Sequence, residues 1–145
     1  MNLIGQEASE AIELEIIRNV KLLFELGESH YNFARELNRR HWRQKVSRFY
    51  YGAYNIRRSL SLVDNGHFSR ESSDHNKTEL PGELNNAETY RTRLHDLRED
   101  RNLADYDHTA SEEDLLIPLD EFESIVMDFI RDSRIFLIEK KGVTL

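Results

Sequence analysis

The sequence predicts an all-α protein, a single-domain antiparallel bundle of four to five helices. Two prolines, Pro81 and Pro118, and six glycines are spread over 145 residues, few enough breakers to permit long helices almost everywhere. Apolar residues recur at spacings of three and four along several stretches, and nowhere do apolar and polar residues alternate long enough to mark a strand. A chain of this length supports one hydrophobic core, so residues 1–145 are read as one domain with its core between about residues 7 and 140.

Ile12, Ile16, Val20, Leu23 and Phe24, separated by charged residues, predict an amphipathic helix over roughly residues 7–26 that Gly27 stops. Tyr31, Ala34 and Leu37 keep the helical spacing and predict a short second helix or a bent continuation. A further helix starts near Trp42, turns Val46, Phe49, Tyr50, Ala53, Ile56 and Leu60 inward, and ends at Asn65-Gly66. Gly52, set among tyrosines, predicts close approach of another helix. Residues 66–83, "GHFSRESSDHNKTELPGE", have no period and predict a long, mobile connection. From Asn85 or Asn86 the next helix carries Tyr90, Leu94, Leu97 and Leu103 or Ala104. "TASEED" reads as a helix start with Ser111 as cap and acids in the first turn, and Pro118 is tolerated at a first helical position. A last helix of about twenty residues has Phe122, Ile125, Val126, Phe129, Ile130, Phe136 and Leu137 as its core stripe.

The formal charge of −7 argues against a protein that coats nucleic acid indiscriminately. Its distribution is uneven. Residues 39–58, "RRHWRQKVSRFYYGAYNIRR", hold seven of the twenty Lys and Arg and no acid, leaving thirteen basic against twenty-seven acidic side chains elsewhere. Such an aromatic-laced block is either a local polyanion site, with Arg39, Arg40 and Arg43 as candidate RNA contacts, or the solvated basic face of a helix. The absence of cysteine excludes disulfides, thiolate catalysis and cysteine-ligated zinc. No basic stretch leads into an apolar run at the N-terminus and no segment approaches membrane-spanning length, so a cytoplasmic protein without membrane partners is expected. Asp74-His75 has no companion at a diagnostic metal-ligand spacing and reads as part of a solvated loop, so neither metal nor other cofactor is expected.

"REDRNLADYDH", Arg98 to His108, concentrates two arginines, four carboxylates, a tyrosine and a histidine. On a helix, Arg101 and His108 would share a face, about 20° out of register and roughly 10 Å apart along the axis. An arginine, an amide and a histidine suffice for metal-independent RNA cleavage. The RNA supplies its 2′-hydroxyl as nucleophile, histidine can move protons near neutral pH, and arginine matches the charge growing on phosphorus. Spacing alone equally allows a structural reading, with Arg101 paired to Asp105 one turn on and His108 at the helix end or in solvent.

Two segments together resemble the HEPN superfamily, small helical bundles of toxin–antitoxin and other defence systems. "SRFYYGAYNIRRSL", Ser47 to Leu60, is similar to that family's Ser-Arg-x-Tyr-Tyr helix, and "LREDRNLADYDH" to its C-terminal helix ending in Ala-Asp-Tyr. Active members carry an arginine, often followed by a polar residue, and a histidine a few residues on. Arg101, Asn102 and His108 fit, with six residues between Arg101 and His108. The resemblance implies a metal-independent endoribonuclease, a toxin or defence effector, whose site forms where two motifs meet across a homodimer. Arg101 would stabilise the phosphate, Asn102 orient it and His108 act as acid or base, at an open groove rather than in the core. It also implies an alternative: a noncatalytic binding module that pairs with a nucleotidyltransferase-like protein. An antitoxin is a further implied partner.

Overall fold

The computed structural model describes residues 3–65 and 79–145, and among them there are four helices and no strand. These are α1 (Leu3–Glu36), α2 (Trp42–Asn65), α3 (Ala87–Tyr106) and α4 (Phe122–Glu139). The all-α prediction holds. Helix α2 is the hub, packed against each of the other three. The predicted connection over residues 66–83 lies mostly outside the described residues. Its described end is anchored, because Leu80, Pro81 and Leu84 are buried.

Gly27 does not stop the first helix, which runs on as α1 to Glu36. The glycine serves the crossing of α1 with α2 instead. A Cβ at Gly27 would stand 2.8 Å from the carbonyl oxygen of Gly52 and 2.8 Å from Cδ1 of Ile56. Gly52, expected to meet another helix, meets this one. Beyond Glu36 the chain turns through a 3₁₀ segment, Arg39–His41, where the Asn38 side chain accepts from the Arg40 N–H at 3.0 Å.

The core joins Val20, Phe24 and Tyr31 of α1 to Val46, Phe49 and Ile56 of α2, Leu94 and Leu97 of α3, and Phe122, Val126 and Phe129 of α4. Ile12, expected among them, is exposed, and no side chain over residues 4–19 is buried. The helix periodicity is present there, but Ile16 is the one residue of the stretch that packs against the core among the described residues.

"TASEED" forms a single 3₁₀ turn, Glu112–Asp114, rather than the predicted longer helix. Asp114 accepts from the Ser111 N–H at 2.8 Å, but the buried Asp100 carboxylate of α3 draws the next stretch out of helical geometry. It accepts from the backbone N–H groups of Leu116 at 2.7 Å and Ile117 at 2.9 Å. Burial pushes the Asp100 carboxyl above the usual carboxylate range, against the pull of those two donors. Pro118 then leads through a second 3₁₀ turn, Leu119–Glu121, into α4.

Gly27→Ala should destabilise the protein by about 1–3 kcal/mol through overpacking, although alanine favours a helix by about 1 kcal/mol. Gly82→Ala, with no atom within 4 Å of the new Cβ, should stay within about 0.5 kcal/mol. Urea midpoints of the two variants check the pair.

Candidate functional site at the α2–α3 groove

Tyr90, Leu94, Leu97 and Ala104 form the inward stripe of α3, and Arg101 falls on it, four residues after Leu97 and three before Ala104. The arginine is consequently only 8% exposed. Its guanidinium carbon lies over the ring of Tyr50 at 4.8 Å and near that of Tyr51 at 5.8 Å. Its ionic partner, Asp105, is 3.9 Å from Nη1, beyond hydrogen-bond reach. Nε is buried with no acceptor. A buried guanidinium has five donors to satisfy, and leaving them unmet is expensive. Burial also pushes the Tyr50 hydroxyl up to about 12, although Arg101 pulls the other way.

Beside this arginine, the N-terminal half of α2 and the C-terminal turn of α3 enclose a groove of about 340 Å³ lined by Arg43, Gln44, Ser47, Arg48, Ala104 and Asp105. Arg43 sets its end. Its guanidinium donates to the carbonyls of Ala104 at 3.0 Å, Asp107 at 2.8 Å and Ala110 at 2.7 Å. The same arginine lies over the Trp42 ring at 4.7 Å.

Helix α3 ends at Tyr106, and this changes the geometry read from the motif. His108 stands in the turn that follows, exposed, so it does not share a helix face with Arg101. The turn is built on Asp107, whose carboxylate accepts from the Thr109 hydroxyl at 2.7 Å and the Thr109 N–H at 3.0 Å. Those bonds hold the Asp107 carboxyl below the usual range. Asn102 stays on α3, half-buried, about 100° around the helix from Arg101. Arg101 is thus in a wall of packed side chains, which corrects the expectation that it sits at an open groove rather than in the core.

The basic block is largely turned to structural use. Arg43, expected at RNA, holds three carbonyls. Arg39, likewise expected there, pairs with Glu112 and with Asp120 at 2.6 Å. Arg40 is exposed, with only the neighbouring His41 ring nitrogen at 3.3 Å as partner among the described residues. Lys45 donates to the carbonyls of Ala34 and Leu37, both at 2.9 Å, and so caps α1.

His30, which the sequence analysis did not single out, stands beside this site. Nη1 of Arg48 donates to its Nδ1 at 3.1 Å, which places the proton of the neutral ring on Nε2. Its ring is 6.1 Å from that of Tyr51, which lies between His30 and Arg101. Partial burial, and then Arg48, lower its pKa from 6.5. A histidine one residue before a core tyrosine has no signature in one sequence, whereas Arg101 could have been found as a charge in an apolar slot of the α3 stripe.

Among the described residues no three of His, Asp and Glu converge as metal ligands would, and Asp74-His75 lies outside them. No helix among them is long and apolar enough to cross a membrane. Comparison with known protein families, with curated proteins and with solved structures finds no match. What the arrangement can do chemically rests on its own geometry: the groove presents the Arg48 guanidinium and the Asp105 carboxylate, and Arg101 lies behind Asp105.

Two outcomes follow from this geometry. Arg101→Met keeps the length of the side chain and removes the orphaned donors, so it should raise stability by about 1 kcal/mol despite the lost tyrosine contacts. Denaturant titration of the two proteins checks it. Because His30 has a depressed folded pKa, its contribution to stability is complete above about pH 6.5 and is lost as pH falls below that value. His30→Gln, which still accepts from Arg48, should show a shallower fall in urea midpoint between about pH 7 and 5 than the parent chain.

Proposed function

We propose that this chain is a HEPN-like, metal-independent endoribonuclease that works as a homodimer, as a toxin or defence effector. The observation that carries the reading is Arg101: a buried guanidinium with an orphaned Nε, whose ionic partner Asp105 lines a groove, in a motif that resembles the family's. A phosphate would supply the missing acceptors. In the reaction the RNA 2′-oxygen loses its proton to a base and bonds to phosphorus, and the 5′-oxygen leaves with a proton from an acid. Arg101 offsets the charge on the phosphoryl oxygens, Asn102 helps orient them, and His108 moves one of the protons.

One observation favours the second reading, a noncatalytic module bound to a nucleotidyltransferase-like protein. Within one chain, His108 is carried past the helix end and makes no contact with Arg101 among the described interactions. Catalysis therefore needs the partner protomer to bring its own His108 to the groove, as the resemblance implies. An antitoxin fits either reading.

Incubation of the purified chain with a short RNA separates them. Cleavage should leave 2′,3′-cyclic phosphate and 5′-hydroxyl ends and should be indifferent to chelator, because the 2′-hydroxyl takes the place of metal-activated water. His108→Ala and Arg101→Met should each lower the rate at least about 100-fold, and Asn102→Ala should act more mildly, since it removes a hydrogen bond and no charge. Cleavage that survives loss of His108, or that chelator stops, would refute the mechanism. Absence of cleavage with retained binding of a partner protein would establish the module.

A further inference from the structure

The groove between α2 and α3 holds two opposite charges that do not pair. Arg48 and Asp105 both line it, yet no ion pair joins them among the described residues. Arg48 is held by two contacts on α1: Nη1 donates to Nδ1 of His30 at 3.1 Å, and the guanidinium carbon lies over the Phe33 ring at 5.0 Å. Neither contact uses the fork formed by Nε and Nη2, which has no acceptor among the described residues. Asp105, on the facing helix, has Nη1 of Arg101 at 3.9 Å and accepts no hydrogen bond among them. Gln44, one turn before Arg48, and Ser47 line the same groove, and their side chains are likewise uncommitted. At Ser47 and Ala104 the two walls present short side chains, which leaves room between them.

A bare phosphate would satisfy Arg48 but set a like charge against Asp105. What fits is a flat ligand with adjacent acceptors on one edge and adjacent donors on the next. Guanine carries both: O6 and N7 match an arginine fork, and N1–H and N2–H₂ match one carboxylate. Adenine, cytosine and uracil each carry a single donor nitrogen on their exposed edges, so none of them offers a carboxylate two parallel hydrogen bonds. The groove, about 340 Å³, stands at the small end of the range for ligand pockets, about 300–1,000 Å³, which suits a base rather than a larger ligand. Building on the ribonuclease reading of this site, we propose that the groove takes a guanine base from an unpaired stretch of RNA, with Arg48 on its O6/N7 edge and Asp105 on its N1/N2 edge. The N1/N2 edge is the one that pairs with cytosine, so the guanine must be unpaired to enter. Guanine also gives Asp105 the hydrogen bonds that Arg101 stands too far away to donate.

Titration of 5′-mononucleotides into the ¹⁵N-labelled chain tests the site without any cleavage. GMP should shift the amide signals of Gln44, Ser47, Ala104 and Asp105 and bind at least about tenfold more tightly than AMP, CMP or UMP, the discrimination a bidentate pair supplies. IMP, which lacks only the N2 amino group, should bind at least about fivefold more weakly than GMP. Asp105→Asn should abolish the preference for GMP, and Arg48→Lys, which keeps the charge and loses the fork, should weaken GMP about tenfold. Both residues are exposed, so the helical circular dichroism of the parent should be kept. A uridine-rich single strand with one central guanosine should bind at least about tenfold more tightly than GMP, through its added backbone contacts. Equal binding of the mononucleotides, or IMP as tight as GMP, overturns the guanine site. GMP or GTP as tight as the strand assigns the groove to a free guanine nucleotide and overturns the RNA source. If Asp105→Asn unfolds, the IMP comparison on the parent chain decides. RNA cleavage with no guanine selectivity overturns this inference and leaves the ribonuclease reading standing; selective binding of GMP and the strand by a chain that cleaves nothing does the reverse.

Discussion

At the carboxyl end of α3 the backbone oxygens of Ala104, Asp107 and Ala110 converge on one guanidinium, that of Arg43, at 2.7–3.0 Å. The last turn of a helix leaves carbonyls without intrahelical donors and carries partial negative charge, so a cation fixed there meets both needs. Lys45, two residues along α2, does the same for the end of α1. One short stretch of α2 thus ties down two neighbouring helices by their ends. The groove exists because of this: its walls are α2 and the last turn of α3, and Arg43 sets their relation. The same clamp fixes the turn that carries His108, and Asp100 pins the chain just beyond it.

The fold class and three of the four helices were legible because burial imposes a period on sequence, and α2, α3 and α4 bury one face along their length. Gly27 was misread because its reason is tertiary. A glycine that stops a helix and a glycine that admits a neighbouring backbone look alike until Gly52 is known to face it. Ile12 was misread because periodicity shows that a face exists and not what covers it. The basic block was left between a polyanion site and a solvated helix face because sequence shows charge but not the acceptors opposite it. For Arg43 and Lys45 those acceptors are main-chain carbonyls, which have no letter of their own. Of the two readings of His108, on the helix face with Arg101 or past the helix end in solvent, the second holds, and sequence could not choose because Arg43, which holds the end of α3, lies more than sixty residues earlier in the chain.

Arg101 is the place where local rules and fold disagree. Every other inward position of the α3 stripe from Tyr90 to Ala104 is apolar, apart from Asp100, whose carboxylate is matched by two backbone donors. Nε of Arg101 has no such match among the described residues; two aromatic faces and a carboxylate too far for a hydrogen bond surround the guanidinium. If methionine in the slot leaves the fold more stable, folding does not explain the arginine. An anion that reached it would, because the Nε left without an acceptor would then make a charge-assisted hydrogen bond.

The groove and the outer face of α1 are not separate surfaces. Arg48 lines the groove, donates to His30 of α1, and lies with its guanidinium carbon over the exposed ring of Phe33 at 5.0 Å. A molecule seated on α1 would cover Phe33 and restrict Arg48; an anion in the groove would draw Arg48 away from His30. Freed of that donor, Nδ1 of His30 becomes available to a proton, and a nearby anion raises its basicity further. One side chain therefore links the outer face of α1, the groove and the histidine. Coupling of this kind is reciprocal, so a molecule bound on the outer face of α1 and an anion bound in the groove would each alter the other's binding by the same free energy.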